Sequence, residues 1–233
     1  MKAQFLYITD PYCIWCYGFS GVIGKIAADY ADRLDIQVIN GGMIPTDTPL
    51  PAMFGRFPDP MGMHERVTQL SGQEFGADYL NEIRHLQTSK HVLNSTMPAR
   101  AMIAFQRLGV SDGVAIASEI QRTYYADNKD LQDIQTYEPM AAHFGIDFAA
   151  FRQLMDSPDI ALGVMDERRM VQEMGIQGFP ALLMRLDNGK LALLARGFMP
   201  FEDTKTNLDE ALRRYASMPE PSGQMCGIDG KGC

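Results

Sequence analysis

The sequence predicts an α/β fold in which a β-α-β unit opens the chain, a long helical insertion follows, and a β-β-α unit closes it. Three observations predict this order. A strand-like run at residues 4–9 leads into a helical stripe and a second strand run; residues 60–174 carry helical periodicity and helix punctuation; and two apolar runs flank Asn188-Gly189 before a last amphipathic segment.

Gln4-Phe5-Leu6-Tyr7-Ile8-Thr9 is a β-rich apolar run halted by Asp10-Pro11, whose proline cannot continue a ladder. From Phe19, the positions Val22, Ile23, Ile26, Ala27 and Tyr30 follow the i, i+3, i+4, i+7 pattern of one helical face. Strand character resumes at Asp35–Ile39 and stops at Gly41-Gly42, completing a unit that implies parallel neighbours and a right-handed crossover. Between Met43 and Pro60, six Pro and Gly residues (Pro45, Pro49, Pro51, Gly55, Pro58, Pro60) leave no period, which predicts a long loop entering the insertion.

Ser95 or Thr96 can cap a helix with Pro98 in its first turn, a stripe of Ala99, Met102, Ile103 and Leu108, and Gly109 behind it. Further helices are expected over Asp112–Tyr125, Asp130–Phe144, Phe148–Met155 and Pro158–Met174. Ala181–Leu186 and Lys190–Ala195 then read as a hairpin across Asn188-Gly189, followed by a helix over Phe201–Tyr215. The expected organisation is a discontinuous α/β domain formed by 1–45 and 175–216, an inserted helical domain over 60–174, and a flexible Cys-containing tail over 217–233 that has nothing to build a core with.

With 21 basic against 29 acidic residues, the net charge of -8 repels phosphate backbones and anionic lipid, so neither nucleic acid nor a membrane is expected as a partner. The apolar run Phe5–Ile8 is too short for a signal-peptide core or a bilayer span, and a cytoplasmic location is the expectation. Four cysteines in 233 residues are too few and too clustered for a stapled scaffold; close spacing in a reducing compartment points to catalysis or metal.

Cys13-Ile14-Trp15-Cys16 lies at the exit of a strand and the start of a helix. Unpaired N–H groups and the positive end of the helix dipole favour a thiolate at Cys13 and supply a nucleophile, while Cys16, one turn further in, is placed to resolve a mixed disulfide formed there. A structural zinc site needs four ligands. The remaining cysteines, Cys226 and Cys233, are poorly spaced for one, and His64, His85, His91 and His143 fall in the helical block, so no metal is expected.

Asp-Pro-Tyr-Cys-Ile-Trp-Cys-Tyr-Gly-Phe at 10–19 resembles the active-site segment of DsbA-like proteins, particularly the cytoplasmic branch that lacks a signal peptide and is described as protein-disulfide isomerases. Gly175-Ile176-Gln177-Gly178-Phe179-Pro180 resembles the segment those proteins carry before their third strand, and the order of elements matches over residues 4–216. The resemblance implies a thioredoxin-like fold with a DsbA-type helical domain, a cis Pro180 lying against the cysteine pair, and thiol–disulfide exchange with protein or small thiol substrates. It also implies that no cofactor is bound and that the pair is recycled by glutathione or a thioredoxin-type reductant.

Proline suits such a place because a cis X-Pro bond costs only ~0.5–1 kcal/mol against trans. Phe179 would then offer its backbone to an extended substrate, with Ile14 and Trp15 completing the contact surface. Ile14-Trp15 is neither the His-containing dipeptide of strong oxidants nor the Gly-Pro of thioredoxins. Oxidase, reductase and isomerase directions therefore stay open across a range of about -270 to -120 mV.

Two other readings compete: a glutathione-dependent kappa-type transferase or isomerase, where a Ser usually replaces the first cysteine, and a peptide-binding, chaperone-like adaptor. The presence of both Cys13 and Cys16 argues against the former. Cys226 and Cys233, in a Gly-rich tail that reaches ~50–60 Å when extended, are candidates for a second redox pair. Asp10 is read first as a turn-shaping residue and second as a proton shuttle.

Overall fold

In the computed structural model, which describes residues 2–186 and 189–216, Ala3–Thr9 forms β1, Ile14–Asp29 forms α1, and Leu34–Asn40 forms β2. β2 lies parallel to β1, with Ala3 opposite Leu34 and Thr9 opposite Asn40. Helix α1 begins at Ile14, well ahead of the stripe that starts at Phe19, because its first turn is the cysteine motif itself.

The stretch after Met43 is not loop throughout. Thr48–Pro49 (β3) pairs antiparallel with Val92–Leu93 (β4), and Leu50–Phe54 forms the short helix α2. Elements of two and five residues are too short to register as a period. Pro60–Ser71 (α3) is capped by Asp59, whose carboxylate accepts from Gly62 N at 2.8 Å, and is followed by Ala77–Arg84 (α4). Thr96–Arg107 (α5) and Gly113–Tyr125 (α6) come next.

The helix expected over 130–144 is instead a 3-10 turn at Ile134–Tyr137 followed by Glu138–His143 (α7). Pro139 lacks an N–H and is accommodated only in a first turn, so the helix restarts there. Phe148–Met155 (α8) and Pro158–Glu173 (α9) match expectation. Ala181–Arg185 (β5), Leu191–Arg196 (β6) and Phe201–Ala216 (α10) complete the chain.

The main sheet has the order β2-β1-β5-β6, with β5 antiparallel to both neighbours. Gly189 turns the hairpin at φ +76°, a conformation open to glycine; Asn188, expected beside it, lies outside the described residues.

Alternation along the strands divides the sheet into two buried faces. Phe5, Tyr7, Val38, Leu182 and Met184 meet Phe19, Ile23 and Ile26 of α1 and Leu208 and Leu212 of α10. Leu6, Ile8, Ile39, Ala181 and Leu183 meet Val171, Met170 and Met174 of α9. Each fully buried large side chain contributes about 1.5–3 kcal/mol. The first face is continuous with the helical block through Ile116, Ile120 and Phe105, so the cysteine helix is packed from the sheet side and the insertion side together. Among the described residues, no helix is long and apolar enough to cross a membrane.

Gly76 ties α4 to the end of α6 through its N–H to Tyr125 O at 2.9 Å, and a methyl group there would run into the Ala126 carbonyl oxygen. Gly76→Ala is expected to lower stability by about 1–3 kcal/mol, read as a lower urea midpoint. An unchanged midpoint would mean that this junction is not tightly packed.

Candidate active site

Cys13 is the N-cap of α1, with extended backbone angles of φ -89° and ψ 109°. Its Sγ accepts the Cys16 N–H at 3.3 Å, so the sulfur occupies the place a Ser or Asp oxygen takes in an ordinary cap. The Cys13 N–H is itself donated to Asp10 O at 3.2 Å, which closes the turn between β1 and α1. On the other side, the Cys13 thiol donates to Phe179 O at 3.5 Å, and the Phe179–Pro180 bond is cis.

The strand-exit cysteines and the loop before β5 therefore meet. Pro180 is buried and Phe179 half-buried. The Phe179 ring lies so close over Gly41 that a methyl group there would collide with it. Trp15 is half-exposed with its ring centroid 6.3 Å from that of Phe198, whereas Ile14 turns inward and packs in the core.

The two sulfurs differ in exposure. Cys13 is 6% exposed and Cys16 0%, and both are free thiols. Burial pushes the Cys16 thiol well above its ordinary value, and the Cys13 sulfur beside it adds to the rise; the Thr9 hydroxyl and a backbone contact with Asp10 pull it back. The buried Cys13 sulfur at the helix N-terminus is backed by a second, fully buried sulfur that ionises reluctantly.

Asp10 does more than shape a turn. Its carboxylate is fully buried: Oδ1 accepts from Tyr12 N at 3.0 Å and Ser95 Oγ at 3.0 Å, and Oδ2 accepts from Met43 N at 2.7 Å. Ser95 Oγ in turn accepts from Ile44 N at 3.1 Å. Ser95, one of the two residues expected to cap α5, makes no cap bond because its hydroxyl is committed here. Burial raises the Asp10 carboxyl, and the Met43 and Tyr12 N–H groups, Ser95 and Arg168 act against that rise.

Sequence reasoning missed Ser95, Met43, Gly41, Thr9 and Gln121 as parts of the site. A usable signal existed only for Ser95, one of two adjacent cap candidates and so free for other duty. The expected second pair, Cys226 and Cys233, lies outside the described residues. Among the described residues, no group of three His, Cys, Asp or Glu side chains could hold a metal ion; the His64 ring contacts Pro60 O at 2.6 Å and the Tyr79 hydroxyl at 2.9 Å.

A Cys-x-x-Cys that caps a helix at a strand exit, faced by a cis-proline loop, defines a thioredoxin-fold protein of the thiol–disulfide oxidoreductase class. The profile of the DSBA-like thioredoxin domain matches residues 7–208, and the chain belongs to that family. A structure from Nitrosomonas europaea, proposed to be a protein disulfide isomerase, shares the fold at 23% identity and TM-score 0.78, covering 92% of this chain and 100% of that one.

The cytosolic disulfide reductase DsbM from Pseudomonas aeruginosa is 28% identical with a TM-score of 0.72, over 91% of this chain and 99% of its own. The same protein with GSH matches at TM-score 0.70, over 90% of this chain and 99% of that chain. No match was found among curated proteins.

At the rim of the same sheet end, Glu167 Oε2 on α9 accepts from Asn40 N at 3.1 Å and Asn40 Nδ2 at 2.7 Å. Burial pushes the Glu167 carboxyl up to about 7 from an ordinary 4.5. A raised folded value means that its stabilising contribution is complete below about 4.5, declines as pH rises, and is gone above about 7. Glu167→Gln, which keeps an acceptor for Asn40, is expected to abolish that component, so the variant gains on the wild type between pH 5 and pH 8 in urea unfolding. Parallel pH profiles would contradict this.

Proposed function

We propose that the protein reduces disulfides in protein or small thiol substrates, with Cys13 as attacking sulfur, Cys16 as resolving sulfur, and the Phe179–Pro180 segment presenting backbone to the substrate. The observation that carries this reading is the double contact of Cys13 Sγ, with the Cys16 N–H on one side and the Phe179 carbonyl on the other. As a thiolate, Cys13 keeps the first contact and gives up the second. The Phe179 carbonyl is then free to accept from an extended substrate strand beside the reacting sulfur.

The chemistry balances without a bound cofactor. Cys13 thiolate attacks one sulfur of a substrate disulfide and forms a mixed disulfide, and the other substrate sulfur leaves with the electron pair and takes a proton. Cys16 then attacks Cys13, the Cys13–Cys16 bond forms, and the second substrate sulfur leaves. Two electrons pass from the cysteine pair to the substrate. A thiol reductant of the glutathione or thioredoxin type restores the pair, a reading supported by the relative seen with GSH.

Direction follows from what stabilises the reduced form. A strongly oxidising pair has its thiolate stabilised. Here Ile14 and Trp15 carry no charge, and the Phe179 carbonyl points negative charge at Cys13. Both features disfavour extra thiolate stabilisation and support a reductant. A reductant fits the reducing cytoplasm, and DsbM, the 28% identical relative, is a cytosolic disulfide reductase. In this reading 1–45 and 175–216 carry the reacting groups, and the 60–174 insertion supplies Ser95 and Gln121 behind them.

Cys16→Ser is expected to accumulate a mixed disulfide on Cys13 when mixed with a disulfide-bonded peptide, visible by mass spectrometry under non-reducing conditions, while Cys13→Ser forms none and loses turnover to background. Retained turnover in Cys13→Ser would overturn the assignment.

A further inference from the structure

Gly42 takes a positive φ of +67°, but Gly41 does not, so the backbone at residue 41 gives no reason for a glycine. What excludes a side chain there is Phe179: the three atoms nearest to a methyl group placed on Gly41 are Cε1, Cζ and Cδ1 of its ring. Cζ lies on the axis about which a phenyl ring turns, so rotating the ring in place cannot clear it. A side chain at 41 would therefore shift Phe179 as a whole.

The Gly41 side of this contact is held on several sides. Gly41 N donates to Thr9 O at 2.7 Å, Asn40 N and Nδ2 donate to Glu167 Oε2 at 3.1 and 2.7 Å, and Met43 N donates to Asp10 Oδ2 at 2.7 Å. Over Gly42, the Arg168 side chain stands so close that its Nε would lie 2.7 Å from a methyl group there. The Phe179 side is looser: among the described residues, the N–H groups of Gln177, Gly178 and Phe179 make no hydrogen bond, and a methyl group on Gly178 would meet open space. A fixed seat faces a compliant loop, and the ring's packing on Gly41 sets where residue 179 stands. The Phe179 carbonyl stands 3.5 Å from Cys13 Sγ.

We propose that Gly41 is the positioning residue for Phe179 and sets the preference for extended peptide disulfides: by seating the ring, it holds the residue-179 backbone where a peptide strand pairs with it beside Cys13. This rests on the reading of Cys13 as attacking sulfur and of Phe179 as the residue that presents backbone to the substrate. A peptide paired with that backbone brings its disulfide to Cys13 in one register, whereas a small disulfide has no strand to pair and reaches the sulfur without it. The seat acts on binding and alignment, ahead of the exchange of sulfur–sulfur bonds. Its loss therefore falls on half-saturation more than on the limiting rate.

In the test, pre-reduced protein is mixed with increasing amounts of a disulfide-bonded peptide or of 2-hydroxyethyl disulfide, and its oxidation is followed by acid quench. The limiting rate over the half-saturation concentration is compared between the two substrates in wild type, Gly41→Ala, Phe179→Ala and the double variant. Gly41→Ala is expected to lower the peptide-to-small-disulfide ratio about tenfold, the worth of one backbone pairing, mainly through half-saturation by the peptide. In the Phe179→Ala background no ring stands over residue 41, and there Gly41→Ala is expected to change the ratio by no more than about twofold.

An unchanged ratio in Gly41→Ala, or the same fall with and without the Phe179 ring, would overturn the proposal. Should Gly41→Ala not fold, Phe179→Ala decides alone: a ratio lowered by about threefold or more supports the seat, and an unchanged ratio overturns it. If wild type oxidises with neither substrate, it is the reading of Cys13 and Cys16 that fails instead.

Discussion

The buried carboxylate of Asp10 accepts hydrogen bonds from Tyr12 N in the turn after β1, Met43 N in the segment after β2, and the Ser95 hydroxyl at the start of α5. Burying a charge is expensive unless it is fully hydrogen-bonded, and here three donors from three parts of the chain converge on it. The corner between β1 and α1 is therefore held to the sheet edge and to the helical insertion at once. That corner sets Cys13 as N-cap, directs its sulfur at the Cys16 N–H, and brings it under the Phe179 carbonyl.

From this one constraint the difference between the cysteines follows. Cys13 takes its hydrogen bond from the first turn of α1, where the backbone N–H groups lack helical partners. Cys16 is fully buried one turn further in, and burial holds its thiol well above its ordinary value. The insertion covers one face of the sheet and bonds to the β1 exit. Gln121 and Ser95 are among its polar contributions, each bonded to a residue at the β1 exit.

What was legible in the sequence was local. Strand and helix periods marked β1, α1, β2 and the β5–β6 hairpin, and the Asp-Pro-x-Cys-x-x-Cys corner is written in seven consecutive residues. The loop expected after Met43 hid β3 and α2 because they are shorter than any period, and Pro139 divided a stretch whose apolar spacing looked continuous. The polar half of the site was illegible for a different reason. Ser95 pairs with Asp10 across 85 positions and Gln121 with Thr9 across 112, and nothing in a single sequence marks a Gln in an amphipathic helix as facing inward to a strand end. Ile14, expected at the substrate surface, sits in the core because the helix starts at that residue and turns it toward the sheet.

The central claim is that Cys13 and Cys16 form one redox pair poised to give electrons. Trp15, the chain's only tryptophan, lies between them and reports on the pair without a label. Its emission, followed across glutathione redox buffers at pH 7, is predicted to show a single two-electron transition at about -200 mV or below, on the reducing side of the known range for this fold, and no transition in Cys13→Ser. A potential near -120 mV, or emission that does not respond to the buffer, would contradict the account.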